Sequence, residues 1–154
     1  MTTPHLRAAT SADIGVLVDF NAAMALETEA LELDRERLQR GVAALLAAPA
    51  RGRYRLAELD GQVAGALLLT FEWSDWRCGD WWWIQSVYVR PEARRRGVFR
   101  ALYRSVADEA RADPGVCGLR LYVERDNLAA QETYASLGMA ETHYRMYEAS
   151  TRAP

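Results

Sequence analysis

Ser86-Val-Tyr-Val-Arg-Pro-Glu-Ala-Arg-Arg-Arg-Gly97-Val-Phe-Arg-Ala-Leu102 is the stretch on which the fold turns. It closes an apolar run over residues 81–89 that reads as a strand buried on both faces. Pro91 stops that strand, a short loop crosses over, and Gly97 opens a helix. Val98, Leu102, Val106 and Ala110 form the apolar face of that helix. The N–H groups at a helix start lack intrahelical partners, and the helix dipole is positive there. A phosphate or pyrophosphate is the natural guest, and neighbouring arginines add charge-assisted contacts. Neither G-x-x-x-x-G-K-[S/T] nor G-x-G-x-x-G occurs, so nucleoside triphosphate and dinucleotide folds lose their usual support.

Upstream, residues 6–9 suggest a short strand, and Thr10 with Asp13 three positions on reads as a helix start. Ile14, Leu17, Val18 and Met24 follow at helical spacing. A second helix is expected from Asp34, with Leu38, Val42, Leu45 and Leu46 on one face, ending before Pro49. Residues 53–59 alternate as a half-buried strand, Asp60-Gly61 signals a hairpin, and residues 63–71 form a nearly all-apolar strand. Downstream, residues 119–123 read as a strand, and Asp126-Asn127 caps a short helix that ends at Gly138. Residues 142–147 alternate as a last strand. The order β-α-α-β-β-β-α-β-α-β predicts one α+β domain over residues 1–154, a mixed sheet with helices on both faces.

Of the 154 residues, 50% are hydrophobic and 26% charged, which excludes disorder and collagen-like repetition. Cys78, Cys117, His5 and His143 stand in no paired spacing, so neither a metal site nor a disulfide framework is expected. The start lacks a basic segment followed by an apolar core, and no apolar run approaches the roughly 18 residues of a membrane span. A soluble, reduced, cytoplasmic protein without a membrane partner is the expectation. All 19 basic residues are arginine and 26 residues are alanine, a GC-rich codon choice that points to a bacterial source. Six of those arginines fall in residues 90–104 against the single acid Glu92, in a chain of net charge −2. A compact positive patch on an acidic body suits a small polyanion better than a nucleic-acid groove.

Arg94-Arg-Arg-Gly97-Val-Phe99 resembles Q/R-x-x-G-x-G/A, the acyl-CoA signature of the GNAT N-acetyltransferase superfamily. Phe99 departs from the usual glycine or alanine. It keeps its amide, but its ring must point away from the ligand. Asn127-x-x-Ala130-x-x-x-Tyr134-x-x-x-Gly138-Met139 is similar to the family's N-x-x-A-x-x-x-Y-x-x-x-G-F, with Met139 for the last residue. The resemblance runs from about residue 6 to 147. It implies a mostly antiparallel, twisted sheet whose central strands splay to bind acyl-CoA, with acetyl-CoA as co-substrate and no metal. The implied CoA contacts are Val87, Tyr88, Val89, Arg94, Arg95, Arg96, Gly97, Val98, Phe99, Arg100, Asn127, Ala130 and Tyr134. A solvated helix start remains the alternative for the arginines, and a core aromatic for Tyr134.

The implied reaction is attack by a neutral amine on the thioester carbonyl. The resemblance offers the Val89 N–H as oxyanion donor and the Tyr134 hydroxyl as the acid that protonates the thiolate. An alkylammonium of pKa about 10.4 is about 0.1% neutral near pH 7.4, a handicap of ~4 kcal/mol, whereas an α-amine of pKa about 8 loses only about 1. An alkyl acceptor therefore calls for a base. Glu72 and Glu124 are the candidates, each with a plain surface position as its alternative, and Gln85 with Ser86 could instead hold a relay water. Glu27 and Glu29 lie where the family places its acceptor-binding lip and suit a cationic acceptor; a solvated helix face is their alternative. All five tryptophans fall within residues 73–83. Trp73 and its neighbours either pack a core and a homodimer contact or line the acceptor site. Two functions compete: acetyl transfer to a primary amine of a small molecule or peptide, and non-catalytic sensing of acyl-CoA.

Overall fold

The structure is a computed structural model and describes residues 2–152. Two compact units divide the chain, Met1–Leu121 and Tyr122–Pro154. The first holds β1 (His5–Ala8), α1 (Ile14–Glu29), α2 (Arg35–Leu46), β2 (Gly52–Leu59), β3 (Gln62–Ser74), β4 (Gly79–Val89), α3 (Val98–Ala112) and β5 (Val116–Arg120). The second holds α4 (Leu128–Ser136).

Local chemistry sets these boundaries. The Thr10 amide donates to Asp13 Oδ2 at 2.7 Å, organising the single turn that leads into α1. Asp34 Oδ1 caps α2 by accepting from the Arg37 amide at 3.1 Å. Asp60 and Gly61, at φ 52° and 77°, form the two-residue turn that joins Leu59 to Gln62.

The five strands lie in the order β1-β2-β3-β4-β5, antiparallel except for the parallel β4–β5 pair. One face packs on α1 and α2, with Leu17, Val18, Phe20 and Val42 meeting Tyr54, Leu56, Ala66, Leu68 and Tyr88. Strand alternation turns Gly65, Leu67 and Leu69 to the opposite face. There the buried Val98, Leu102 and Val106 of α3 cover the sheet. A Cβ on Gly65 would come within 2.9 Å of Val98 Cγ1, so glycine permits that approach. Helices on both faces of a mostly antiparallel sheet are the α+β architecture expected.

Two strand expectations change. β5 occupies Val116–Arg120 and not 119–123, because the turn after α3 hands directly into it. The Val116 amide donates to Asp113 O at 3.1 Å, and Gly115 O accepts from the Asp80 amide at 2.8 Å, which locks the register with β4. Residues 142–147 form no strand. Their alternation is only a side-chain pattern, and among the described residues no ladder partner turns it into a strand.

Among the described residues, β4 pairs with β5 only from Asp80 to Trp83, then runs on to Val89 alongside β3 alone. Its pairing with β3 slips midway. Leu68 faces Gln85 and Ala66 faces Tyr88, so Ser86 and Val87 together oppose the single residue Leu67. This is a bulge. Ser86 sits in it at φ 41°, a conformation that costs an L-residue about 1–2 kcal/mol. No helix among the described residues is long and apolar enough to cross a membrane.

Candidate active site

The bulge decides where the backbone of β4 points. The Arg90 amide donates to Ala64 O at 2.9 Å, so Ala64, Ala66 and Leu68 are the β3 residues whose amides face β4. Their partners are Arg90, Tyr88 and Gln85. Without the bulge, Gln85 would be followed by Val87 and Val89 in facing β3. With it, Val89 turns its N–H and C=O away from β3, toward the side from which β5 has diverged. The Val89 carbonyl accordingly accepts from Arg94 Nε at 3.0 Å. The Val89 N–H is thus left facing away from β3, on the part of β4 that has no β5 partner among the described residues.

The following loop has an unusual backbone. Pro91–Ala93 make a single turn, Arg94 is extended, Arg95 is left-handed at φ 62°, and Gly97 is left-handed at φ 78°. Arg96 lies between them at negative φ. Alternation of this kind turns successive N–H groups into one concavity, which runs on into the unpaired first-turn amides of α3. Val98 is anchored in the core, and the Phe99 ring lies 6.2 Å from that of Tyr103, one turn along the helix. Arg95 and Arg100 are exposed around this concavity, and Arg96 pairs with Asp60 at 3.5 Å.

Arg94 does something else. Its Nη2 donates to Glu27 Oε2 at 2.7 Å, and the Tyr88 hydroxyl donates to Glu27 Oε1 at 2.9 Å. The guanidinium holds Glu27 below the usual carboxylate range, burial opposes this, and the Tyr88 hydroxyl adds to it. Burial, and then the Glu27 anion, raise the Tyr88 phenol. Both Glu27 oxygens therefore have partners, whereas Glu29 is exposed at the last position of α1.

Glu72 and Val89 are not brought together. Antiparallel pairing sets Glu72 beside Trp81, eight residues before Val89 on β4, which is roughly 25 Å of strand. Glu72 Oε1 instead accepts from Arg120 Nη1 at 2.7 Å, and the Arg120 guanidinium lies 3.9 Å over the Trp81 ring. Gln85 is nearer the bulge and donates through Nε2 to Thr70 Oγ1. The tryptophans do not form one wall. Alternation puts Trp81 and Trp83 on the face that carries α1 and α2, and Trp73 and Trp82 on the other. Trp82 is buried against Phe71 and Arg53, whereas Trp73 is 62% and Trp76 88% exposed.

In the second unit, Asn127 Oδ1 caps α4 by accepting from the Ala130 amide at 3.1 Å. The Asp126-Asn127 start expected for this helix is thus made by Asn127. Gln131 Nε2 ties the preceding loop to the helix through Glu124 O and Arg125 O, at 3.1 and 2.9 Å, and the Glu124 side chain is exposed. At the other end Met139 N donates to Tyr134 O and Gly138 N to Ala135 O, around a left-handed Gly138. Asn127, Ala130 and Tyr134 recur at one-turn spacing. Tyr134 is half-buried, and burial raises its phenol above 10.

The fold has counterparts among known proteins. The model of the acetyltransferase (GNAT) family matches residues 20–139. A solved structure of a possible acetyltransferase from Clostridium difficile 630 is 40% identical, with a TM-score of 0.92 over 99% of this chain and 100% of its own. An integron cassette protein from the mobile metagenome of Cole Harbour Salt Marsh is 25% identical, with a TM-score of 0.83 over 97% of this chain and 91% of its own. A Clostridium acetobutylicum protein solved with acetyl-CoA shares the fold at 18% identity, with a TM-score of 0.77 over 96% of both chains. No protein of curated function matches.

Proposed function

Because this chain belongs to the acetyltransferase (GNAT) family, we propose that it moves the acetyl group of acetyl-CoA to a primary amine by direct attack. The observation that carries the reading is the Val89 N–H, which the bulge turns away from β3 on the stretch of β4 that lies beyond its pairing with β5. The left-handed Arg95 and Gly97, with the exposed Arg95 and Arg100, fit a pyrophosphate at the start of α3. That arrangement sets the thioester end toward β4. Val89 N–H then donates to the carbonyl oxygen as negative charge develops on it, in a geometry that needs no reorganisation. Tyr134 supplies the proton to the departing thiolate; a phenol is protonated at neutral pH, and burial raises its pKa further. The amine loses its proton to water or through a relay at Gln85.

Glu72 is remote from Val89, and Arg94 holds Glu27. Those two facts favour an acceptor of modest basicity, an α-amine of a peptide or a small molecule, over an alkylamine that needs a strong base. A panel of amines incubated with acetyl-CoA and monitored for free thiol tests the proposal. Acceptor-dependent thiol release is expected. Tight acetyl-CoA binding without thiol release across the panel would instead identify an acyl-CoA sensor.

A further inference from the structure

The carboxylate of Glu27 closes a ring of hydrogen bonds around Val89. One of its oxygens accepts from the hydroxyl of Tyr88, the residue before Val89, at 2.9 Å. The other accepts from Arg94 Nη2 at 2.7 Å, and Arg94 Nε donates to the Val89 carbonyl at 3.0 Å. The same guanidinium lies 5.6 Å from the centre of the Tyr88 ring. That ring is buried and packs on Phe20, 5.1 Å between ring centres, two turns before Glu27 on α1. The end of α1 is fastened in turn. The Ala30 and Leu31 amides donate to Leu26 O and Ala25 O, both at 3.2 Å, around a left-handed Ala30 at φ 51°.

Stability does not explain this ring. The Arg94 and Glu27 side chains are 45% and 41% exposed, and an ion pair so open to water adds little to the fold. What the ring restricts is position. Val89 is the last residue of β4, and beyond Trp83 that strand has no β5 partner among the described residues. No ladder on that side holds it, and the ring supplies a restraint from α1 instead. Tyr88 fixes the residue before the Val89 N–H, and Arg94 fixes the carbonyl after it. We propose that Glu27 is a positioning residue that sets the orientation of Val89 through Tyr88 and Arg94. This rests on the reading of Val89 as oxyanion donor. It takes Glu27 out of the acceptor lip and makes it part of the support of that donor.

Glu27→Ala leaves every atom of Val89 in the chain and, at an exposed helix position, should keep the fold by circular dichroism. With the amine that gives the fastest thiol release from acetyl-CoA, we expect kcat to fall about tenfold. That is short of the roughly 10²–10³-fold of losing an oxyanion donor outright. The acceptor KM, and CoA affinity by calorimetric titration, should stay within about twofold of wild type. The Val89 carbonyl carbon should shift in ¹³C spectra, in the same direction as in Arg94→Ala. Residues that act as one unit are not additive, so the double variant should be at most about twofold slower than the slower single. Glu27→Gln, with one acceptor oxygen for two donors, should recover part of the rate and of the shift. A raised acceptor KM with kcat unchanged would make Glu27 an acceptor contact, and losses that multiply in the double variant would make the two residues independent. Either result overturns the proposal, as does an unmoved Val89 carbonyl in Glu27→Ala. If that carbonyl moves while kcat keeps its wild-type value, the hold on Val89 stands and its oxyanion role is what fails.

Discussion

As the proposed general acid, Tyr134 has to reach the thiolate with its proton still in place, and burial extends the pH range over which it does so. Desolvation disfavours the phenolate, so the pKa lies above 10 in the folded protein. The acid works protonated. Its contribution is therefore present throughout neutral pH and is lost only as pH rises through that raised value. Tyr134→Phe should lower turnover by roughly 10²-fold or more, leave acetyl-CoA affinity nearly intact, and remove the alkaline limb of the pH–rate profile. Rate profiles and CoA titration on both proteins check this, and an unchanged rate with an unchanged limb would return Tyr134 to a packing role. Arg7 and Asp13 present the opposite case. Two 2.8 Å hydrogen bonds from the Arg7 guanidinium, against some burial, hold Asp13 down at about 2. Its ordinary value is near 3.8, so the pair stabilises the fold fully above about pH 4, and this is lost as pH falls through 2. Asp13→Asn should cost about 2 kcal/mol at pH 7 and flatten the acid limb of stability, as read from urea unfolding at a series of pH values.

The element with most to say about binding is α3, because its first turn is entered through a glycine that has to be left-handed. Gly97→Asp places a carboxylate against the proposed pyrophosphate site, and CoA affinity should fall at least tenfold. Gly97→Asn tolerates the same backbone without the charge and should lose much less. Calorimetric titration with CoA, alongside circular dichroism to confirm folding, separates the two. This entry was legible in the sequence, since a proline stops β4 and a glycine starts α3. The Asp60-Gly61 hairpin and the Asp34 cap were equally legible, because each is written in the residues that perform it. The Ser86 bulge was not. A strand buried on both faces has no alternation to lose, so an extra residue inside Ile84-Gln-Ser-Val-Tyr-Val89 leaves no mark on the pattern. Glu27 and Arg94 are 67 positions apart, and only the fold makes them partners. The start of β5 escaped for a related reason, as its register comes from Asp80 on another strand and not from its own residues.

Taken whole, the molecule has no lysine among its 154 residues, so the α-amine at the chain start is its only aliphatic amine. Prolonged incubation with acetyl-CoA should add at most one amide-linked acetyl group by intact mass, and two or more would contradict this. The sheet has a less visible property. Asp80 to Trp83 are flanked by strands on both sides, whereas the rest of β4 is hydrogen-bonded by β3 alone among the described residues. Deuterium uptake should expose that seam inside a strand that otherwise belongs to the core. Val87 and Val89 are expected to label at rates typical of surface loops, with Tyr88 and Arg90 between and beside them remaining protected. Slow labelling of all four would mean the seam is closed. A strand whose amides alternate between fast and slow keeps half its valences available for a guest, and an interior strand of the sheet then serves as an edge.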